Sequence, residues 1–372
     1  MKCKHSIPLL CCLLSLGGTN QLNAQSGTNI GLDLVEDYSS VIDGGIAQGE
    51  TLMGFISLTH ETRLWKGASL KGQHVLNHGK PLTDYVGDLQ TISNIEAPRN
   101  IYLYEFNFEQ RFKGHKLIVG KSEINALFAY STHGMGFIHS SFGIGPEMSV
   151  NVPLATFPYA AMGIYSSIKL QEKLHFSAAV FDGSPNTAIG YLKSFDFSLN
   201  SKRGLFWIGE LDYQITKEKA QASTYKMGVW TLESDSQRES GFYALIDQTL
   251  ISEKNDPTQG LHAFAQYGRI PNNASVFSNY KGLGLVYYGA FKKRAQDQTG
   301  LAWGQGNLSD TYRNDLSRTS DRAETVIEAY YNYALSDQIE VQLDSQYIIN
   351  PGVNPGVKNA LIGIIRLKYH LF

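Results

Sequence analysis

The chain has 372 residues, with 32 Lys plus Arg against 34 Asp plus Glu and no basic run, a balance that gives no support for nucleic-acid binding. Hydrophobic content is an ordinary 42%, yet aromatics reach 12%, with 21 Tyr and 18 Phe beside 36 Gly. No apolar run is long enough for a membrane helix, so any membrane signal must be spread over alternating strands.

Met1 to Ala24 has the layout of a cleavable secretory leader: Lys2 and Lys4, the apolar run Ile7 to Leu16, then Leu22-Asn23-Ala24 ahead of Gln25. The expected organisation is a signal peptide over 1–24 and one barrel domain over 25–372. Removing Lys2 and Lys4 takes the charge balance to 30 against 34. Cys3, Cys11 and Cys12 are the only cysteines and all lie in the leader, so neither disulfides nor thiolate metal sites are expected in the processed chain. A lipoprotein reading of Cys11 or Cys12 would place Leu10 or Cys11 where a small residue is expected.

Along the rest of the chain, segments with a period of two recur between turn residues, the pattern of strands that send alternate side chains to opposite faces. From 51 to 58 either face could be the apolar one. After Asn100, Tyr102, Tyr104, Phe106 and Phe108 fall on one face and Glu105, Asn107, Glu109 and Arg111 on the other. Leu174, Phe176, Ala178 and Val180 oppose His175 and Ser177, and Leu205, Trp207, Gly209, Leu211, Tyr213 and Ile215 oppose Glu210, Asp212 and Gln214. The stretch 242–250 is again undecided.

Leu261, Ala263, Ala265 and Tyr267 then alternate with His262, Phe264 and Gln266, and Thr325, Ile327, Ala329, Tyr331 and Tyr333 with Glu324, Glu328 and Asn332. The clearest segment is 339–349, where Ile339, Val341, Leu343, Tyr347 and Ile349 share a face with Ser345 while Glu340, Gln342, Asp344 and Gln346 face away. Lys113-Gly114, Gln171-Glu172 and Ser336-Asp337 read as tight turns, and 80–99, 122–158, 182–203 and 309–321 as long loops. About sixteen strands of roughly eight to twelve residues result, the length a tilted strand needs to cross a bilayer.

In the clear segments the charged residues keep to one face, and a Lys or Arg on a lipid face at mid-membrane would cost about 2–4 kcal/mol. A soluble sandwich would also segregate charge, but the leader, strand length, strand number and aromatic edges favour a transmembrane antiparallel β-barrel. Its long extracellular loops are expected to fold partly into the lumen.

Several stretches then resemble the carbohydrate-selective porins of the OprB family. They are Asp84-Tyr85-Val86-Gly87-Asp88-Leu89-Gln90 with Ser93-Asn94-Ile95-Glu96-Ala97, Tyr104-Glu105 with Glu109-Gln110, Val119-Gly120-Lys121, and Ser140-Ser141-Phe142-Gly143. Pro158-Tyr159-Ala160, Ala179-Val180-Phe181-Asp182-Gly183-Ser184-Pro185, Val326-Ile327-Glu328, Gln346-Tyr347-Ile348 and Asn350-Pro351-Gly352 continue in the family's order over nearly the whole processed chain. The resemblance implies a sixteen-stranded outer-membrane barrel, a channel in each monomer with oligomers possible, and passive diffusion of small neutral carbohydrates, with no cofactor and outer-membrane lipid around it. One departure is at the end, where Leu367, Tyr369 and Leu371 form the apolar face and leave Phe372 out of phase with the outward row.

A passage for sugars needs donors and acceptors fixed around a lumen with an apolar surface nearby. Facing alone nominates Glu105, Glu109 and Arg111, then Glu210 and Asp212, then Glu328, Asp344 and Gln346, against the simpler reading that each is a solvated wall residue. Trp207 and Tyr213 are expected at the lipid interface, and Trp230, Trp303 and Phe206 inside. His60, His74 and His78 have no metal-site spacing, so no metal is expected. A barrel-based enzyme lacks a Gly-x-Ser-x-Gly motif, an anion pore would need a ring of Lys and Arg, and a closed adhesin would not conduct.

Overall fold

A computed structural model describes residues 27–185, 193–199, 204–215, 223–235, 238–271, 275–316 and 322–372. The expected leader over 1–24 and parts of the loop expected over 182–203 lie outside the described residues. Sixteen antiparallel strands close into one barrel in sequence order, β1 pairing with both β2 and β16.

The strands are β1 Thr28–Gly45, β2 Glu50–Trp65, β3 Ala68–Gly79, β4 Asn100–Phe112, β5 His115–Ser122, β6 Ala161–Gln171, β7 Leu174–Asp182 and β8 Leu205–Ile215. They continue as β9 Ser223–Glu233, β10 Arg238–Ser252, β11 Gly260–Arg269, β12 Phe277–Tyr288, β13 Gln298–Leu308, β14 Ala323–Ala334, β15 Ile339–Ile349 and β16 Lys358–His370. Antiparallel closure leaves no unpaired sheet edge. Among the described residues no helix is long and apolar enough to cross a membrane.

Alternation sets the two faces. On β15, Leu343 and Tyr347 are exposed on the outside while Gln342, Gln346 and Ile348 are buried inside. On β8 the outward row carries Trp207, Leu211 and Tyr213, all exposed, and the inward row carries buried Phe206, Ile208 and Glu210. The two undecided segments are settled in the same way: Leu52 and Leu58 face out on β2, and Phe242, Ile246 and Leu250 face out on β10, opposite buried Tyr243, Leu245 and Asp247. At the β4–β5 turn both Lys113 and Gly114 have positive φ, 48° and 83°, the requirement of a type I′ hairpin.

Loops fill much of the lumen. The segment 123–160 between β5 and β6 buries Ile124, Phe128, Ile144 and Met148 against inward Phe181, Phe206, Trp230 and Tyr243. Its Phe137, Ile138 and Phe142 pack against inward Phe264, Ala302, Val326 and Tyr330, in a cluster that also takes Leu82, Val86 and Ile92 of the β3–β4 loop.

This filling corrects the inward placement of Trp303. The inner row of β13 is Gly300, Ala302, Gly304 and Gly306, and a methyl group on Gly300 would come within 2.7 Å of the Phe137 ring. Loop aromatics already occupy that space, so the indole of Trp303 goes outward beside Leu283 and Ile327. Trp230 and Phe206 do face inward, their rings stacked at 5.7 Å.

A second correction concerns β4. Gln73 pairs with Glu105 but the next residue, His74, pairs with Leu103, so Tyr104 is an extra residue in a β-bulge. Tyr102 and Tyr104 are consequently buried inside the lumen at 6% and 4% exposure, whereas Phe106 and Phe108 stay on the outer face.

Candidate functional site

One part of the inner wall open to water lies on β1–β4, where a cavity of about 350 Å³ is lined by Asn29, Thr59, Glu61, Lys71, Gln73 and Glu105. Each side chain is there because odd positions of β1–β3 point inward. The Gln73 amide donates to Ser57 Oγ at 2.8 Å, and Lys71 Nζ donates to Glu109 at 3.1 Å.

Glu109 is the hub of this wall. Its carboxylate also takes Arg111 at 2.5 Å and Lys116 at 3.6 Å, and Lys71 reaches Glu61 at 3.8 Å. Acid and base alternate across four neighbouring strands, so charge is compensated locally and donors and acceptors remain on offer to water. Arg111 is 64% exposed and Glu61 39%, the solvated end of the ladder.

Above the cavity sits an aromatic ledge. Phe55 of β2 and Tyr104 of β4 pack on Phe157 of the long loop at ring distances of 5.5 and 5.6 Å, and Tyr102 meets Tyr104 edge-on at 6.1 Å. Asn77 Nδ2 fixes the Tyr102 hydroxyl at 2.9 Å. Phe55 and Phe157 are only half-buried, so apolar ring surface remains in the lumen.

The ledge is tied to the polar wall through backbone. Glu123 N–H donates to Glu105 Oε1 at 2.7 Å, while the Glu123 carboxylate accepts from Thr156 Oγ1 and Phe157 N–H, both at 3.3 Å. Burial pushes the Glu123 carboxyl up from its ordinary value, against the opposing effect of its hydrogen bonds.

Other inward carboxylates hold loops in place. Glu210 accepts from Ala129 N–H at 3.0 Å and Tyr243 Oη at 2.8 Å; Glu328 accepts from Ile138 and His139 N–H at 2.6 and 3.1 Å. Asp247 takes Ser131 Oγ, Thr132 N–H and His133 N–H at 2.6, 2.9 and 3.2 Å. Glu324 takes Leu89, Gln90 and Gly352 N–H at 3.0, 3.0 and 2.6 Å. Gln346, the cross-strand partner of Glu328, donates to Ile92 O at 3.1 Å.

At the β1–β16 closure Arg366 forks onto Asp37 at 2.6 and 2.8 Å and donates to Asn94 at 2.9 Å and Ser93 at 3.0 Å. A loop buried in a barrel must find acceptors for its N–H groups, and these wall side chains supply them.

The eight nominated residues all lie on the inner face, but they do not meet in one ring. Glu105, Glu109 and Arg111 are together on the β4 part of this wall, Arg111 exposed and Glu109 buried beneath its cations. Glu210, Glu328 and Gln346 are buried loop anchors, and Asp344 is buried one inward position along β15 from Gln346. Asp212 accepts from Gln214 at 2.9 Å and stands across the ladder from Lys226.

Sequence reasoning missed Lys71, Glu61 and Lys116, which the alternation of β2, β3 and β5 would have placed with Glu109. It also missed Asp37, Asp247, Glu324 and Arg366. Nothing in the sequence marks Phe157, because a loop residue has no periodicity.

In the loops, burial lowers the His139 imidazole to about 3, and its Nδ1 accepts from Ser141 N–H at 3.3 Å. His139 therefore caps a turn and is not aimed at the neighbouring Ser140. Burial raises Glu96 to about 8, helped by the charge of Asp88, which burial itself raises to about 6. Among the described residues no group of three His, Cys, Asp or Glu is placed to hold a metal ion.

The family model described as carbohydrate-selective porin, OprB family, matches residues 57–239 and 231–371. Porin B of Pseudomonas aeruginosa is 30% identical over 144 residues, a match that spans 34% of this chain and only 32% of that relative. The high-pH structure of Pseudomonas putida OprB superposes with a TM-score of 0.84 at 18% identity, covering 96% of this chain and 97% of that one. The low-pH structure of the same protein gives 0.64 at 15% identity, covering 96% of both chains. At such identities the structures establish the shared barrel.

Proposed function

The chain belongs to the carbohydrate-selective porin, OprB family, and on that premise we propose that small neutral saccharides cross the outer membrane through its lumen, down their gradient, along the open wall of β2–β5. The observation that carries this reading is the meeting of an aromatic ledge at Phe55, Tyr104 and Phe157 with a charge-compensated ladder at Glu61, Lys71, Glu105, Glu109, Arg111 and Lys116.

A sugar is flat and apolar on its ring face and dense in hydroxyls at its rim. The ledge offers the first surface a partner, and the ladder offers the second both donors and acceptors. No unopposed charge remains along the ladder to hold an ion, and partners that already bond one another release a hydroxyl readily, as flux requires. Described loop residues pack against the inner faces of β6–β16, which favours this side for passage.

Family and fold support a channel and not an enzyme, and His139, turned to a backbone N–H with its imidazole held neutral, gives Ser140 no base. Liposomes carrying the protein should swell faster in glucose than in charged solutes of similar size. Equal rates would remove the sugar preference and leave the pore. Phe157→Ala should weaken sugar block of single-channel current about three- to tenfold, as expected for about 1 kcal/mol of lost ring contact; unchanged block would move the path off the ledge.

A further inference from the structure

On the inner wall two acids stand side by side beneath the loop that fills the lumen. The ladder pairs Glu328 of β14 with Gln346 of β15, and Tyr330 with Asp344. Glu328 and Asp344 are therefore diagonal neighbours on one face, close enough for their carboxyl groups to hydrogen-bond. Glu328 is fully buried and Asp344 is 7% exposed.

Their surroundings differ. Glu328 accepts from Ile138 and His139 N–H, donors that stabilise a negative charge. Neither oxygen of Asp344 accepts a hydrogen bond from the described residues, and both have next to no accessible surface. Whatever completes this side chain must occupy almost no volume.

The charged groups around the pair do not neutralise it. Arg366 of β16 faces both acids but forks onto Asp37 of β1, which matches its charge. Lys368, one inward position further along β16, pairs with Glu340 at 3.5 Å. The phenols of Tyr280 and Tyr330 face Glu328, Tyr330 also faces Asp344, and Tyr288 flanks Tyr330. In the loop, His139 is turned to Ser141 N–H.

A buried carboxylate without a donor is far costlier than the neutral acid, and two carboxylates that meet cannot both ionise. A dyad holding a single proton resolves both difficulties. We propose that Glu328 and Asp344 share one proton, with the Asp344 carboxyl O–H donating to Glu328, and that this buried proton keeps the loop segment 134–142 docked in the lumen.

Removing the proton would set a second negative charge beside Glu328 in a pocket without water. The relief is for the loop bonded to Glu328 to lift, taking Phe137, Ile138 and Phe142 off the inner wall. The docked state binds the proton and the lifted state releases it, so docking is favoured at low pH and lost as pH rises. The dyad lies apart from the Glu109 ladder, so it does not depend on the sugar reading.

Infrared spectra of the barrel in lipid at neutral pH test the shared proton directly. Asp344→Asn should lack one carbonyl band of a protonated carboxyl group that the unaltered barrel shows, and in the unaltered barrel that band should vanish as pH is raised. Should Asp344→Asn not assemble, Glu328→Gln should shift the same band, because it changes the acceptor of the shared proton. Single-channel current should step upward on the alkaline side in a Glu96→Gln background. Asp344→Asn, whose amide donates to Glu328 at every pH, should abolish the step. A difference spectrum with no missing band puts a charge on Asp344 and overturns the proposal. An unshifted band in Glu328→Gln, a band that vanishes with no change in current, or a step that survives Asp344→Asn overturns it as well.

Discussion

Arg366→Met tests whether the inward loops set the channel. The guanidinium makes four hydrogen bonds, two to Asp37 and one each to Ser93 and Asn94, between 2.6 and 3.0 Å. Asp37 is fully buried, and its remaining partner in the clamp would be Ser93 Oγ at 2.7 Å. Removing one member of a buried pair costs about 3–5 kcal/mol because the other charge is left uncompensated.

The cheapest relief is for the loop around Ser93 and Asn94 to lift and admit water to Asp37. The Glu324 clamp on Leu89 and Gln90 and the Gln346 bond to Ile92 would hold the preceding residues. At about 1.4 kcal/mol per tenfold, the docking equilibrium of that segment should fall by a factor of about 10² to 4 × 10³. Single-channel recording should show larger mean conductance and added noise, with the heat-modifiable band of the barrel retained on gels. Adding Asp37→Asn should recover much of the thermal stability, since the buried charge is gone, but not the quiet current, since Asn94 Oδ1 stays without its donor. Mean current, noise and sugar block equal to those of the unaltered protein in a folded Arg366→Met barrel would refute the clamp reasoning.

The loop over 80–99 should also loosen as pH rises. Burial, reinforced by the charge of Asp88, holds the Glu96 carboxyl at about 8 against an ordinary 4.5, so its contribution to docking is complete below about 4.5 and is lost as pH climbs through 8. Asp88, at about 6, acts in the same direction at lower pH, which leaves pH 6 to 8 as the window for Glu96 alone. Current noise should increase across that window and Glu96→Gln should flatten the trend; a flat profile in the unaltered chain would be incompatible with a buried titrating Glu96. On the outer face, Leu343→Arg, at an exposed position in the middle of β15, should destabilise the barrel in lipid by about 2–4 kcal/mol. An unfolding midpoint in urea equal to that of the parent would contradict the assigned facing.

What was legible in the sequence follows from what a strand encodes locally. The alternation of 339–349 and 205–215 states which side is oily, and Lys113-Gly114 states a two-residue turn; both are properties of neighbours in the chain. The bulge at Tyr104 is not, because Tyr102, Tyr104, Phe106 and Phe108 keep a period of two in the sequence and only the pairing with Gln73 and His74 shows the extra residue. Trp303 misleads for a related reason. Its inward neighbours are small because Phe137 and Phe142, some 160 residues earlier in the chain, fill the lumen there.

The inner carboxylates carry the same lesson into function. An acid-rich wall is what a selective lumen needs, and it is equally what a barrel needs if its loops are to fold inside with their N–H groups satisfied. Composition cannot separate the two uses; hydrogen bonds can. Glu210, Glu328, Asp247 and Glu324 spend their oxygens on loop backbone or hydroxyl donors, and a sugar could reach them only by displacing the loop. Glu109 is as buried as Glu210 but spends its oxygens on Lys71, Arg111 and Lys116, whose side chains are 34%, 64% and 28% exposed, so a passing hydroxyl can reach the ladder at these cations without displacing a loop. Selectivity is therefore expected to respond to substitutions at Glu109 and Lys71, and channel noise to substitutions at the loop anchors.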